Sequence, residues 1–210
     1  MIIKSITLSG FRSFYRTQIL TFDSGMTAIV GPDGCGKSNV IRGILWALAH
    51  PAASLDPTEI CSSSSRHFTA KGAQVGIDYQ IRPYDLEMSL SRTLSVNGLW
   101  ATFNIDGHDY ADSVPPPEFL ASRAQVQFLQ NPAQLDLALE AAKPGDLFLI
   151  DGIDDPSSLV LDNLRSLTAS GNQVIAVVRS RAMMQIADQL IGVTMEEPGV
   201  SKFVPMRLRK

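Results

Sequence analysis

The most informative segment of the 210-residue chain reads Ile29-Val-Gly-Pro-Asp-Gly-Cys-Gly-Lys-Ser-Asn39. It contains the pattern Gly-x-x-x-x-Gly-Lys-Ser, which is typical of phosphate-binding loops. An apolar run, Met26–Val30, precedes the loop and predicts a buried strand. Apolar residues at helical spacing follow it between Val40 and Leu48 and predict a helix. Strand, loop and helix in this order are the context that the pattern requires.

The residues of this loop suit a phosphate. Glycines allow backbone N–H groups to converge on an anion, and the start of the following helix adds a positive dipole end. We expect Lys37 to reach the β- and γ-phosphates of a nucleotide and the Ser38 hydroxyl to ligate Mg²⁺. A glycine turn that only joins two elements is the alternative. The predicted phosphate-binding residues are Gly31, Pro32, Asp33, Gly34, Cys35, Gly36, Lys37, Ser38 and Asn39. Among them Asp33 is unusual, because a carboxylate weakens the attraction for phosphate unless it points away.

Composition limits the classes of protein to consider. With 45% hydrophobic residues, the chain can bury a full core in one domain. The net charge of −3 gives no overall footprint for nucleic acid, although a local basic patch stays open. Cys35 and Cys61 form no disulfide framework and indicate the reducing cytoplasm. The N-terminus is too short and polar for a signal peptide, and no apolar run approaches transmembrane length, so we expect no membrane contact.

The first half of the chain predicts an antiparallel lobe over about residues 1–25 and 68–110. Asn97-Gly98, between two strand-like segments, is a strong hairpin signal. Asp23-Ser-Gly25 predicts a hairpin-type turn, and Asp106-Gly107 predicts another turn. The predicted strands of the lobe are Ile2–Ser9, Gln18–Phe22, Ala73–Ile81, Leu86–Leu94 and Leu99–Ile105.

Three segments predict connections. Residues 51–66 are rich in Pro, Ser and Ala and predict a loop. Three consecutive prolines predict a linker over about residues 111–117. Residues 118–123 predict a short helix.

The second half, about residues 125–210, alternates strands with helices. Leu147–Ile150 and Val174–Val178 are continuous apolar runs, which are typical of strands covered on both faces. The sequence therefore predicts an α/β fold of the P-loop NTPase class, with a mainly parallel sheet flanked by helices and the antiparallel β lobe, in a single domain of residues 1–210. The remaining predicted strands are Val126–Leu129, Ile191–Met195 and Lys202–Leu208, and the predicted helices are Ala133–Ala142, Asp155-Pro156 to Gly171-Asn172, and Ser180–Leu190.

A second set of polar residues lies downstream of the loop. Asp151 ends an apolar strand, and we expect it to hold Mg²⁺ through a water; the less favoured alternative is that it only caps the turn after its strand. Gln130 ends its own short strand and is a candidate oxygen ligand of Mg²⁺ or a surface glutamine. Hydrolysis needs a group that orients water, and the residue after Asp151 is Gly152, which has no side chain. Asp154 and Asp155 are the candidate substitutes.

Several segments resemble the ATPase head of structural-maintenance-of-chromosomes (SMC) proteins, within the ABC-type ATPases. Besides the phosphate loop, the similar segments are Gly10-Phe-Arg-Ser-Phe14, Arg66 after a serine run, Arg92–Gly98 with Ile105-Asp-Gly107, and Ala187–Lys202. The resemblance covers nearly the whole chain and is weak between about residues 108 and 145. It implies ATP and Mg²⁺ as cofactors, with Arg12, Ser13 and Arg66 near the nucleotide. It further implies an SMC-type head or a second copy of this chain as partner, with DNA and the nucleoid nearby, in chromosome segregation or DNA repair.

The chain also departs from this family. The family's long coiled coil between the two halves is absent, and Leu129–Ala133 replaces its Leu-Ser-Gly-Gly signature. Gly152, Arg179 and Asp56 stand where the resemblance implies a catalytic glutamate, a switch histidine and an activating arginine. The resemblance therefore implies ATP binding with at most weak ATPase activity.

Three hypotheses stay open at this point. The chain is a nucleotide switch without hydrolysis, a slow ATPase in which Asp154, Asp155 or a partner residue replaces the glutamate, or a scaffold that no longer uses nucleotide. For DNA, a basic edge is the candidate surface, and a solvated tail is the alternative. The residues of this edge are Lys202, Arg207, Arg209 and Lys210.

Overall fold

The computed structural model describes residues 1–53, 57–61, 72–81, 86–95, 97–111, 125–154 and 156–205. These residues form two six-stranded sheets with helices packed on them. The strands are β1 (Ile2–Ser9), β2 (Gln18–Thr21), β3 (Met26–Val30), β4 (Gly72–Ile81), β5 (Leu86–Ser95), β6 (Gly98–Ile105), β7 (His108–Ala111), β8 (Val126–Leu129), β9 (Leu147–Asp151), β10 (Gln173–Val177), β11 (Gln189–Glu197) and β12 (Val200–Pro205). The helices are α1 (Lys37–Ala47), α2 (Pro57–Ile60), α3 (Pro132–Ala141), α4 (Ser158–Ala169) and α5 (Arg181–Ile186), with a 3₁₀ turn at Pro51–Ala53.

One sheet is mainly parallel, with the strand order β12-β11-β3-β10-β9-β8. Only β12 within it runs antiparallel to its neighbour. Every residue of β3 and β10 is buried, which explains their continuous apolar sequences. Val177 of β10 lies opposite both Ile29 of β3 and Asp151 of β9, so the carboxyl ends of three strands meet at one edge. The predicted fold class is confirmed.

The second sheet is antiparallel, with the order β2-β1-β4-β5-β6-β7. Its long strands follow the predicted ranges to within one residue, and the Asn97-Gly98 hairpin joins β5 to β6. The Asp106-Gly107 turn, with φ of 47° and 84°, leads into β7, a four-residue strand that the sequence did not predict. Its sequence, His108-Asp-Tyr-Ala111, contains neither an apolar run nor an apolar–polar alternation.

Helix α1 lies between the two sheets. Its apolar residues share one core with the inner face of the antiparallel sheet and one face of the parallel sheet. Helices α3, α4 and α5 cover the opposite face of the parallel sheet and form a second core. At Gly43 an added Cβ would lie 2.7 Å from Leu8 Cδ2, so glycine permits α1 to approach β1 closely. Arg92 of β5 contacts the C-terminal end of α1, where its Nη1 donates to Trp46 O at 2.6 Å.

Three sequence predictions need correction. The turn Asp23–Gly25 forms no hairpin, because β2 pairs with β1 whereas β3 pairs with β10 and β11 in the other sheet. The predicted helix Ser180–Leu190 ends at Ile186, since Ala187 is extended and β11 begins two residues later alongside β3. The predicted loop 51–66 contains the 3₁₀ turn and α2.

The remaining connections lie largely outside the described residues. Ala111 ends β7, so the predicted linker 111–117 overlaps that strand by one residue. The rest of the linker and the predicted helix 118–123 fall outside the described ranges. The division of the chain into a lobe, a linker and a C-terminal half within one domain stays a prediction. No helix in the described part of the chain is long and apolar enough to span a membrane.

Candidate phosphate-binding site

The loop between β3 and α1 has the backbone of an anion-binding turn. Gly31, Gly34 and Gly36 have φ of 152°, 77° and 98°, a region that strongly favours glycine. A Cβ at Gly31 would lie 2.1 Å from Val193 O, and one at Gly36 would lie 2.2 Å from Ser201 Oγ. The loop is therefore seated tightly against β11 and β12, and two of its glycines are needed for that contact.

The N-terminus of α1 is left open. Its N-cap residue is Gly36, and no side chain within the described ranges caps it. Helices α3, α4 and α5 instead begin at side chains that accept a backbone N–H, those of Asn131, Ser157 and Ser180. The first N–H groups of a helix need partners, and an anion supplies them where a cap does not. The open start of α1 thus suits a phosphate.

Lys37 lies at the mouth of this loop. It is 4% exposed, and its Nζ donates to Gly31 O and Pro32 O, each at 2.7 Å. Its Nζ also lies 3.5 Å from Asp33 Oδ1. A buried ammonium needs such partners. The loop's own carbonyls therefore hold the positive charge in place beside the open helix start.

Ser38 and Asp151 meet across the sheet edge. The Ser38 hydroxyl donates to Asp151 Oδ1 at 3.1 Å, because β9 and β3 both border β10 and end at the same level. A hydroxyl and a carboxylate are oxygen donors of the kind that Mg²⁺ prefers. Among the described residues there is no group of three or more His, Cys, Asp or Glu that suits a metal. This donor pair fits an Mg²⁺ whose other ligands are nucleotide oxygens and water, and the assignment stays a prediction.

Gly152 is exposed, and one side of it faces backbone. Its φ is 127°, and a Cβ there would lie 2.7 Å from Gln130 O, just after β8. Gln130 itself is exposed, and its N–H donates to Gln134 Oε1 at 2.6 Å. Its role as an Mg²⁺ ligand stays a prediction. The first atom of a side chain at position 152 would therefore crowd the Gln130 carbonyl, so glycine suits this backbone conformation.

Ser13, Asn39 and Ser201 brace the loop. Asn39 Nδ2 donates to Ser13 Oγ at 2.7 Å, and Ser201 Oγ shares a hydrogen bond with Ser13 and another with Cys35 O. The side chains of Ser13 and Asn39, both predicted near the phosphates, therefore contact each other. Ser201 was missed from the sequence, although it lies inside the segment Ala187–Lys202 that carries the family resemblance.

Arg12 and Arg66 have different outcomes. Arg12 Nη1 lies 3.5 Å from Glu59 Oε2 of α2, and its place near the nucleotide stays a prediction. Burial lowers the pKa of Arg12, nearby Arg42 lowers it further, and Glu59 acts in the opposite direction. Arg66 and the candidate base Asp155 lie outside the described residues.

Arg179 bridges the two loops. Its Nε donates to Asp33 Oδ1 at 3.0 Å, and its Nη1 donates to Asp154, after β9. These hydrogen bonds, that of Asp154 first, raise the pKa of Arg179. The hydrogen bond and charge of Arg179, with a smaller contribution from Lys37, lower the pKa of Asp33. The unusual acid in the phosphate loop thus has two cationic neighbours.

Lys202 is the described part of the predicted basic edge. It forms an ion pair with Glu196 on the adjacent strand. Arg207, Arg209 and Lys210 lie outside the residues that the structure describes. DNA binding stays a prediction.

The loop after β3 has the arrangement of a P-loop NTPase. It combines glycines at an uncapped helix start, a buried lysine, and an acid at the end of a neighbouring strand. Comparison with known families agrees. Residues 2–113 match the family described as "RecF/RecN/SMC N terminal domain", and the chain belongs to this family.

Two relatives are similar in sequence to parts of the chain. The chain is 49% identical over 53 residues to the "Chromosome partition protein Smc" of Myxococcus xanthus, covering 25% of this chain and 4% of that protein. It is 39% identical over 108 residues to the protein of the same name from Lactiplantibacillus plantarum, covering 47% of this chain and 9% of that protein. The chain thus matches less than a tenth of the length of these two relatives.

Two solved structures share the fold over nearly the whole chain. The "SMC head domain from Thermotoga maritima" has a TM-score of 0.70 at 22% identity, covering 99% of this chain and 100% of that one. An Smc head solved bound to the C-winged helix domain of ScpA has a TM-score of 0.73 at 19% identity, covering 99% of each chain. The chain therefore has the fold of an SMC head.

Proposed function

We propose that the chain is an SMC-like module that binds Mg-ATP, hydrolyses it little or not at all, and serves as a nucleotide switch in a chromosome-maintenance assembly. One observation carries the proposal. A fully formed phosphate loop lies beside Asp151, while the next residue, Gly152, packs directly against the carbonyl of Gln130. Binding groups are present, whereas the position at which the family resemblance implies a catalytic glutamate carries no side chain.

Residues of the loop hold the nucleotide in this proposal. The open start of α1 and the loop N–H groups bind the β-phosphate, and Lys37 adds positive charge between the β- and γ-phosphates. Ser38 ligates Mg²⁺ directly and Asp151 does so through a water. When bound, Mg²⁺ would supply positive charge that offsets the negative charge of the phosphates.

Slow hydrolysis follows from the surroundings of Gly152. Losing a positioned general base costs about 10²–10⁴-fold in rate. Asp154 is exposed and nearby, which keeps a slow ATPase as the second candidate function. However, Arg179 Nη1 donates to its carboxylate, so this oxygen already has a partner other than water. The pairing of Asp154 supports binding over turnover.

The proposed partner is another SMC-type head or a second copy of this chain. The names of its relatives support a place in chromosome partition. The proposed location is the cytoplasm, at the nucleoid. A γ-phosphate would act by ordering the loops at the sheet edge, as in other nucleotide switches. A scaffold that ignores nucleotide is the remaining alternative, and it predicts that Lys37→Ala changes no property of the protein.

A single-turnover assay tests the proposal. Excess protein is mixed with trace labelled Mg-ATP, bound label is counted, and ATP is resolved from ADP over time. We expect wild-type protein to retain uncleaved ATP and Lys37→Ala to lose at least about 100-fold in affinity, because contacts to two charged phosphates disappear. Lys4→Ala is the control, since Lys4 forms an exposed ion pair with Glu87 in the other sheet.

Each outcome of this assay is informative. Conversion of bound label to ADP in a single turnover favours the slow ATPase, and Asp154→Asn then identifies whether Asp154 is the base. Absence of binding in all three proteins contradicts the proposal and favours the scaffold.

A further inference from the structure

We propose that Arg179 makes the site selective for a nucleoside triphosphate over a diphosphate, by exchanging Asp33 for the γ-phosphate when a triphosphate binds. The inference rests on the proposed function and names a specificity-determining residue for the same site. In the structure the Arg179 guanidinium joins the phosphate loop to the loop after β9.

The position of Arg179 follows from the sheet. Val177 at the end of β10 lies opposite Ile29 and Asp151, so the chain beyond it emerges between the phosphate loop and the Mg²⁺ candidate pair. Arg179 is two residues further on, and its side chain is 44% exposed. The guanidinium therefore lies beside the mouth of the loop and is accessible to a ligand there.

The Asp33 carboxylate places a negative charge beside Arg179 and Lys37, at the mouth of the phosphate loop. Its Oδ1 accepts from Arg179 Nε at 3.0 Å and lies 3.5 Å from Lys37 Nζ, so one carboxylate contacts two cations. The planar guanidinium fork that suits a carboxylate also suits a phosphate. Because the Asp33 side chain is 83% exposed, it has room to turn to solvent when a phosphate takes its place.

The third phosphate is the one that competes with Asp33. We expect the β-phosphate to occupy the open start of α1 beside Lys37, as in the proposed function, and a diphosphate then leaves the Asp33–Arg179 pair intact. A γ-phosphate extends toward the mouth and carries more negative charge than one carboxylate. Asp154 stays bonded to the other side of the guanidinium and keeps it over the loop.

Titrations of Mg-ATP and Mg-ADP against the full chain, at fixed ionic strength, test the exchange. In Arg179→Gln we expect the Kd for ATP to rise about tenfold or more, the size of one lost hydrogen bond between charged groups, while the Kd for ADP changes little. In Asp33→Asn we expect ATP to bind up to about fivefold tighter, because the competing exposed ion pair is gone, with a smaller gain for ADP.

Arg165→Gln is the matched control. Arg165 is an exposed arginine whose Nη1 lies 2.9 Å from Asp162 Oδ1 on α4, away from the loop. The Arg165→Gln variant should leave the Kd for ATP and the Kd for ADP unchanged. The Tm of each variant is measured alongside, and if Arg179→Gln fails to fold, the ATP-to-ADP affinity ratio of Asp33→Asn decides.

The outcomes separate this inference from the proposed function. If wild-type protein binds ATP and Lys37→Ala does not, but the affinity ratio is the same in wild type, Arg179→Gln and Asp33→Asn, the exchange is wrong and the nucleotide switch stands. If wild-type protein binds neither nucleotide, both are wrong. The exchange is supported if the ATP-to-ADP affinity ratio falls in Arg179→Gln and rises in Asp33→Asn, relative to wild type.

Discussion

The loops after β3 and β9 leave the same edge of the parallel sheet, but their surroundings differ. The first loop surrounds the open start of α1, and polar side chains from β12 and the Ser13 turn brace it. The second begins at Gly152, whose Cα faces the carbonyl of Gln130. The first loop leaves the start of α1 without a side-chain cap, whereas the second begins at an exposed glycine that contacts backbone on one side. We expect this difference of a sheet edge that binds nucleotide and hydrolyses it slowly, as proposed above.

Glycines in both loops face a backbone carbonyl. At Gly31 the carbonyl is that of Val193, and at Gly152 it is that of Gln130. In the first case the close contact seats the loop against β11 so that its N–H groups can converge. In the second case it lies against the position where the family resemblance implies a side chain. The same local contact therefore occurs in two different surroundings.

The largest expected effect is that of Gly31→Ala. Its Cβ would lie 2.1 Å from Val193 O, a backbone atom that cannot move without disturbing β11. We expect a loss of about 4 kcal/mol in the free energy of unfolding, or no folding, measured by denaturant titration. Gly34→Ala is the control, since its Cβ meets open space and its positive φ costs only about 1–2 kcal/mol. Equal losses in the two variants would contradict the seating of the loop.

Gly152→Glu comes next. Restoring the glutamate should lower stability by about 2–3 kcal/mol through strain and overpacking against Gln130, and it should not raise the single-turnover rate. Gly107→Ala, at a positive φ with open space, is the stability control. Faster ADP formation by Gly152→Glu would show that the backbone at Gln130 can move, and that its contact with position 152 does not prevent hydrolysis.

Ser201→Ala tests the brace of the first loop. It removes hydrogen bonds to Ser13 Oγ and Cys35 O, so we expect a loss of about 1–2 kcal/mol in stability. We also expect weaker Mg-ATP binding, by about fivefold, since the loop becomes less ordered. Ser9→Ala removes an exposed hydrogen bond to Thr17 and should change neither property. Unchanged ATP affinity in Ser201→Ala would separate the brace from binding.

The smallest effect is expected for Asn131→Ala. Asn131 Oδ1 accepts from Gln134 N at 3.0 Å and caps α3, so its loss should lower stability by about 1 kcal/mol. Nucleotide affinity should stay the same, because this helix start is already satisfied by protein. Calorimetric titration of Mg-ATP measures the difference. A fall in affinity would place α3 in the nucleotide site and weaken the contrast between capped and open helix starts.

Much of the fold and part of the site followed from local patterns. The loop Gly31–Ser38, the buried runs of β3, β9 and β10, and the hairpin at Asn97-Gly98 each depend on residues close in sequence. Sequence patterns failed where a strand has no apolar pattern, as at β7, or where strand pairing replaced a predicted helix, as at Ala187. There the sheet partner, rather than the local residues, sets the conformation.

The sequence alone determined three features: the α/β class, the phosphate loop with Lys37 and Ser38, and the absence of a side chain at position 152. Each of them depends on residues that are neighbours in the sequence. Their spatial relations depend on the folded chain. Asp33 and Arg179 form a hydrogen bond although they are 146 residues apart in sequence, and Cys35 and Ser201 do so at a separation of 166 residues. The Gln130 carbonyl likewise lies beside Gly152. Strand order brings these groups together, and strand order is set by the packing of the whole sheet, which no local pattern contains.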